Sequence, residues 1–347
     1  MNRSLSVWAV SLIILSIWIV SSSWAEESQG PLSVEGAVVT TVRGARNSEG
    51  QFRDSLRTDE TELLISGSWS EHLESRIKMR LNEDLRENGL WTTPKWNGED
   101  FLKEANIRIK DIGGKPVAIV VGKQEVAYGL NHEGMVLYND QPFDDINHLN
   151  KVFGFTVALE PDFLKGAKFE ISSFESGEGD LRIGSWDGVS ARLSKNISQQ
   201  LSLTLSSMYN GHGRDSSDAA ELRQSVGVMY ETKDGKYVSW IEGHLLNENP
   251  VYPESHLGVT AGLTRKFSHH EITVEASLVD RYLKQVGVSA SVELLPHLTG
   301  GVDVRYTDYE QFEDRKRDGV SAGVRFTVPI GKKNKNPIWG KTDPKAQ

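Results

Sequence analysis

The chain has 347 residues, a formal net charge of -9, 38% hydrophobic and 25% charged residues, and no cysteine. The acid excess argues against nucleic acid as a partner, the missing cysteines exclude disulfide staples, and no second run of about twenty apolar residues exists to build a bundle of membrane helices. A wall that shows lipid only every second residue passes these tests, because its average hydropathy stays low.

In chain order, the first 25 residues read as an export signal: Arg3 supplies the positive start, 7–20 is an almost unbroken apolar run, and Ser23-Trp24-Ala25 ends in residues a signal peptidase accepts. A run of about fourteen residues is short for a membrane span of about twenty. Cleavage after Ala25 would leave a mature chain starting at Glu26. With no Pro/Ser-rich linker to divide it, 26–330 reads as one domain, followed by a polar basic tail at 331–347.

From Leu32 onward, runs of about nine to eleven residues place an apolar side chain at every second position, the length and period of a tilted membrane strand. In the run from Val320 to Val328, Val320, Ala322, Val324, Phe326 and Val328 alternate with Ser321, Gly323, Arg325 and Thr327. The pattern predicts about sixteen strands, near 32–43, 61–70, 74–85, 101–110, 116–128, 151–160, 167–175, 185–195, 199–209, 222–232, 235–246, 255–266, 270–281, 285–295, 298–308 and 318–329. Odd-numbered links tend to be long and polar, such as 44–60, 86–100 and 129–150, whereas even-numbered ones are tight, such as Lys233-Asp234 and Pro296-His297. The link near Tyr282 to Lys284 is short and breaks the rule. Long and short links alternate in an up-and-down barrel with two unlike rims. The expected fold class is therefore all-β, a transmembrane antiparallel up-and-down β-barrel.

Alternation also suits a soluble sandwich. The polar face argues against one: Gly258, Thr260, Gly262 and Thr264, or Gly287, Ser289 and Ser291, carry none of the Lys and Glu that a solvated outer face usually has.

Two stretches resemble outer-membrane β-barrels, and more specifically the sixteen-stranded porin superfamily. Ser321, Gly323, Phe326 and Val328 resemble the assembly signal on the last strand of such barrels. The stretch Val121-Gly122-Lys123-Gln124-Glu125-Val126-Ala127-Tyr128-Gly129-Leu130 is similar to the Gly-Arg-Gln…Phe-Gly strand end of phosphate-selective-type and alginate-export-type porins, with Lys123 in place of Arg and Tyr128 in place of Phe. The chain departs from the family in continuing past Pro329, where porins usually stop at a terminal aromatic. The resemblance implies residence in the bacterial outer membrane, contact with its lipid and insertion by the barrel-assembly machinery. It leaves a homotrimer open.

If every second residue faces a lumen, Arg76, Lys78 and Arg80 share the inner face of one strand and Arg108 and Lys110 that of the next. Placing them toward lipid would cost about 2 to 4 kcal/mol each near the midplane, so the five form a basic ladder toward water. In sixteen-stranded porins the loop at 129–150 folds inward, so the resemblance implies that Glu133, Asp140, Asp144 and Asp145 face the ladder across a constriction. The plainer reading of that loop is an exposed one whose Asp and Asn residues favour turns. Glu62, Lys168, Glu170, Arg192, Glu275, Glu293, Asp303 and Arg305 also fall on polar faces and are expected to pair with neighbours. Trp69, Tyr209, Tyr230 and Tyr306 fall on the apolar parity near strand ends, as in interfacial girdles.

No Gly-x-Ser-x-Gly elbow, His-Glu-x-x-His helix or phosphate-binding loop occurs, so no catalytic, cofactor or metal residue is assigned and no enzyme is expected. The sequence reads as a channel for passive diffusion of small polar or anionic solutes. A barrel exporting an acidic polysaccharide and a non-conducting structural barrel are the alternatives.

Overall fold

In the computed structural model, which describes residues 32–47, 50, 52–57, 61–81, 84–87, 90–91, 102–130, 152–175, 186–211, 220–247, 255–280, 283–295, 298–309 and 319–330, the alternating segments form one hydrogen-bonded sheet. The segments expected to be an export signal (1–25) and a basic tail (331–347) lie outside the described residues, as do Glu133, Asp140, Asp144 and Asp145. Nineteen extended segments make sixteen barrel strands, because three strands are each split in two.

The first strand, β1, is Leu32–Asn47. Its two halves pair with the two segments of β2, Phe52–Arg57 and Thr61–Ser70. β3 is Leu73–Leu81 continued by Asp84–Glu87, and β4 is Leu90–Trp91 followed by Leu102–Ile109. Then come β5 Val117–Gln124, β6 Val152–Leu159, β7 Ala167–Phe174, β8 Gly188–Asn196, β9 Leu201–Asn210 and β10 Glu221–Glu231. β11 Tyr237–Asn247, β12 His256–Lys266, β13 His270–Val279, β14 Leu283–Leu295, β15 Leu298–Tyr309 and β16 Gly319–Ile330 complete the chain. Neighbours in sequence pair antiparallel, and β16 returns to β1 in the register Gly36↔Ile330 to Asn47↔Gly319. The sheet is a closed transmembrane barrel in which, among the described residues, every strand has a partner on each side.

Burial follows the expected parity. Val286 and Val288 are 48% and 46% exposed, whereas their neighbour Ser289 is 1% exposed. Val288 lies opposite Val274 on one side and Val304 on the other, and Val274 opposite Leu263, so a lateral apolar band crosses four strands. Trp69, Tyr209, Tyr230 and Tyr306 are exposed on this same outer parity near strand ends. On the inner face hydroxyls bond across the strands: Thr156 to Ser172 at 2.7 Å, Ser206 to Ser225 at 2.6 Å and Thr264 to Thr273 at 2.8 Å. Polar groups inside and apolar groups outside are the inverse of a soluble core, and only a surrounding apolar solvent stabilises that arrangement. Val288→Arg, halfway along β14, should cost about 2 to 4 kcal/mol in denaturant-titrated insertion into vesicles. Loss of less than a tenth of that would contradict lipid contact at this valine.

The even-numbered links, all short, gather at one rim, whereas the short β13–β14 link joins its strands at the other. In the β10–β11 turn the Asp234 carboxyl is held down to about 2 by the Thr232 hydroxyl at 2.7 Å and the Lys236 N–H at 3.2 Å. A depressed carboxyl favours the folded turn above its unfolded value and loses that effect as pH falls toward 2, so this turn keeps its bonds through mild acid.

β1, β2 and β4 reach further than expected, to Asn47, back to Phe52 and back to Leu90, into stretches read as the long links 44–60 and 86–100, whereas β5 is shorter than expected. β5 was expected to run to 128 and ends at Gln124. Beyond it the chain leaves the sheet, and the N–H groups of Gly129 and Leu130 are taken by side chains instead of a neighbouring strand. Val126 and Tyr128 still alternate as in a strand because both are buried, against the inner wall and not toward lipid.

Candidate functional site

Inside the barrel, alternation on β3 and β4 sets Glu74, Arg76, Lys78 and Arg80 beside Glu104, Asn106, Arg108 and Lys110. All five cations of the ladder have the inner parity of these strands, flanked by Ile77 and Ile107 turned outward. The ladder is interleaved with acids. One Glu62 carboxylate on β2 binds Lys78 Nζ at 2.8 Å and Arg80 at 2.6 Å, Glu104 lies 3.2 Å from Arg76 Nε, and Glu74 bonds Lys110. The register puts Arg108 directly opposite Glu74. The paired side chains of Arg76, Lys78, Arg80 and Lys110 retain between 15 and 30% exposure, so they line water instead of being sealed in the wall.

Glu74 and Glu104 were not singled out from the sequence. Their parity with Arg76 and Arg108 was the available signal, but which acid meets which cation depends on register, which alternation alone does not fix.

A second group lies on β7 and β8, where Glu170 receives Lys168 at 2.8 Å and Arg192 at 2.6 Å. Deeper still, Glu221 and Arg223 on β10 pair with each other at 1% exposure each. On β15 and β16 the Arg305 Nε donates to Ser321 Oγ at 3.3 Å. Ser321 and Gly323 occupy the inner parity of β16, whereas Phe326 is 40% exposed on the outer one, with Val328 two residues on. Wall charges of both signs, several of them held by opposite partners, avoid the cost of isolated buried ions while keeping the lumen strongly polar.

The chain after β5 crosses this interior. Within β5, Gly122 has φ 127 and lies between its partners Asn106 and Gly154, where a Cβ would stand 2.2 Å from the Ala105 carbonyl oxygen, so only glycine fits. Past Gln124, Val126 and Tyr128 pack with Val152, Phe174 and Met208 of β6, β7 and β9 in a cluster in which every member is at most 4% exposed. The Gly129 N–H donates to Ser206 Oγ at 2.9 Å, and the Leu130 N–H to Glu242 Oε1 at 3.0 Å. Leu130 covers Gly227, and the Tyr128 ring lies 6.3 Å from His244. Burial pushes the Tyr128 hydroxyl well above the ordinary phenol range, so it stays neutral. Residues 126–130 therefore run along the inner wall from β6 to β11, anchored by apolar contact at the start and hydrogen bonds at the end. The stretch singled out by its similarity to a porin strand end is the one that leaves the sheet.

Neither a protein-family model nor a curated protein matches this sequence. Solved structures do match. The outer membrane channel DcaP of Acinetobacter baumannii aligns with a TM-score of 0.62 at 10% identity, covering 88% of this chain and all of that one. OmpF of Salmonella typhi, in complex with daunomycin, aligns at 0.61 and 12% identity over 86% of this chain and 97% of its own. A mutant porin of Rh. blastica aligns at 0.58 and 13% identity over 86% of this chain and all of its own. At such identities the likeness is one of architecture, and the chain folds as the sixteen-stranded outer-membrane porins do.

Proposed function

We propose that the protein is a porin-like channel of the bacterial outer membrane through which small polar and anionic solutes diffuse down their own gradients. The carrying observation is a closed wall that is apolar outside and lined inside by hydroxyls and paired charges, with a chain segment folded along the lumen. An aqueous path lined in this way lowers the cost of moving polar solutes across hydrocarbon without binding them tightly. The similarity to DcaP, described as an outer membrane channel, supports the reading. Arg76, Lys78, Arg80, Arg108 and Lys110 bias the path toward anions. Glu62, Glu74 and Glu104 moderate that bias, which weighs against a lumen dedicated to an acidic polysaccharide. Glu133, Asp140, Asp144 and Asp145 would continue the inward segment and face the ladder. Residues 1–25 would direct export, and Ser321, Gly323, Phe326 and Val328 would be read by the insertion machinery. Lipid, that machinery and further copies of the chain are the partners of this reading, and the protein acts without catalysis.

Single-channel recording of the purified protein in asymmetric salt tests the proposal. Discrete conductance steps with an anion-side reversal potential are expected, and a bilayer that stays silent would point to a structural barrel instead. Glu62→Gln removes the carboxylate shared by Lys78 and Arg80. It should raise the anion-to-cation permeability ratio roughly twofold, as one unit charge does at about a Debye length from the ion path. An unchanged ratio would remove this group from the path.

A further inference from the structure

The short-link rim holds a cavity of about 380 Å³ between the β12–β13 turn and the ends of β14, β15 and β16. Part of its lining is apolar, Phe267, Leu295, Leu298 and Pro329, among polar and charged residues. Phe267 and His270 stack with ring centroids 4.1 Å apart, Arg265 lies 4.6 Å over the Phe267 ring, and Leu295 and Leu298 complete the surface. Leu295 is 61% exposed and Phe267 37% exposed, so the described residues leave this surface open. Its polar side carries the carboxylates of Glu271 and Glu293 together with Lys266, and the Glu293 carboxylate is half exposed, 3.6 Å from His269 Nδ1.

Pro329 forms part of the same wall, and Ile330 ends β16 beside it. Seventeen further residues follow, 331–347, with five lysines against one aspartate in a chain whose net charge is -9. Ile338 and Trp339 are the bulky apolar residues of that segment. Trp339 is the ninth residue after Ile330, an extended reach of up to about 30 Å, so the cavity beside Pro329 lies well within range. A tethered segment needs little intrinsic affinity, since its effective concentration near its own anchor is on the order of millimolar.

We propose that residues 331–347 fold back on the short-link mouth, seating Trp339 on the apolar part of the lining formed by Phe267, Leu295 and Leu298 and setting the neighbouring lysines toward Glu271 and Glu293. The occupant is this chain's own C-terminal segment. Its attachment point lies in the cavity wall, its charge opposes the two carboxylates, and its one tryptophan matches the exposed apolar surface. A cationic segment held there would shape the field at that mouth.

The absence of native cysteine makes a cross-linking test clean. Full-length Gly340→Cys is combined with Leu298→Cys at the cavity or, as a control, with Ile197→Cys, which is exposed on the β8–β9 link of the same rim. Heat-modifiable mobility first shows that each barrel has assembled, and Leu295→Cys replaces Leu298→Cys if that variant does not. Under mild oxidation the 340–298 disulfide should form about tenfold faster than 340–197, and adding Trp339→Ser should remove that advantage, the loss expected for one buried indole. Adding Glu271→Gln and Glu293→Gln should slow it about fivefold, the effect of two exposed ion pairs. Equal rates at the two positions, or a rate indifferent to Trp339→Ser, would overturn the proposal and leave a loose extension or a segment held by another partner. The readout needs no current, so a non-conducting barrel would sink the channel reading and leave this inference standing.

Discussion

In the proposed channel, reversing three cations together, Arg76→Glu, Lys78→Glu and Arg80→Glu, should replace an anion preference by a cation preference. With Glu62 and Glu104 they form a group of three positive and two negative side chains on the inner face of β2, β3 and β4, and the variant would carry five carboxylates there. Each reversal changes the local charge by two units. At about a Debye length from the ion path the combined effect is roughly tenfold or more in the permeability ratio. The measurement is the reversal potential in a salt gradient, first at low ionic strength and then at high, where screening should shrink the difference. A reversal potential that stays put at low salt would place the three residues away from the conducting path. Glu62→Gln moves the charge in the opposite direction, so the two variants should bracket the wild-type value, an ordering that general damage to the barrel would not produce.

Tyr128→Ala should release the inward segment and enlarge the conducting path. The Tyr128 side chain is 2% exposed, and it shares its cluster with Val126, Val152, Phe174 and Met208. Truncating a buried aromatic of this kind costs about 3 to 5 kcal/mol. Here the loss falls mainly on attachment of residues 126–130, because the wall strands keep their own ladder bonds. Three hydrogen bonds would remain, to Ser172 at 3.5 Å, to Ser206 and to Glu242, but none of them replaces the lost apolar contact. Larger single-channel conductance with more current noise is expected, together with faster protease cleavage after residue 130. Unchanged conductance would mean that the segment does not bound the narrowest part of the lumen. Glu242→Gln, which keeps an acceptor for the Leu130 N–H, should stay close to wild type in the same recordings.

Much of the architecture could be read directly because lipid and lumen impose opposite demands at a spacing of one residue. Val286, Val288 and Ser289 declare their sides without reference to any other strand, and so do Arg76, Lys78 and Arg80 flanked by Ile77 and Met79. Strand ends were less legible where burial had two sources. Val126 and Tyr128 alternate correctly for a strand, yet the apolar surface they meet is an internal cluster, and the period of two is the same in both settings. The acids that temper the ladder show a related limit. Glu74 carries its parity openly, but its place beside Lys110 follows from the β3–β4 register, and nothing in the local sequence states that register. Glu242 was harder still, since its partner Leu130 lies 112 residues away in the chain.

The twelve-residue register that joins the first strand to the last has a kinetic meaning. Gly36 meets Ile330, so the final seam joins the first and last strands of the barrel, 294 residues apart, and lies at the high limit of contact order for a barrel of this size. Until that seam forms, the strands at 32–47 and 319–330 each offer a free ladder of backbone groups, a template for aggregation with other unfinished copies. Chains shortened within the last strand should therefore accumulate as open, protease-sensitive sheets, not as smaller barrels, and the burden on any chaperone escort should be heaviest just before the ends meet.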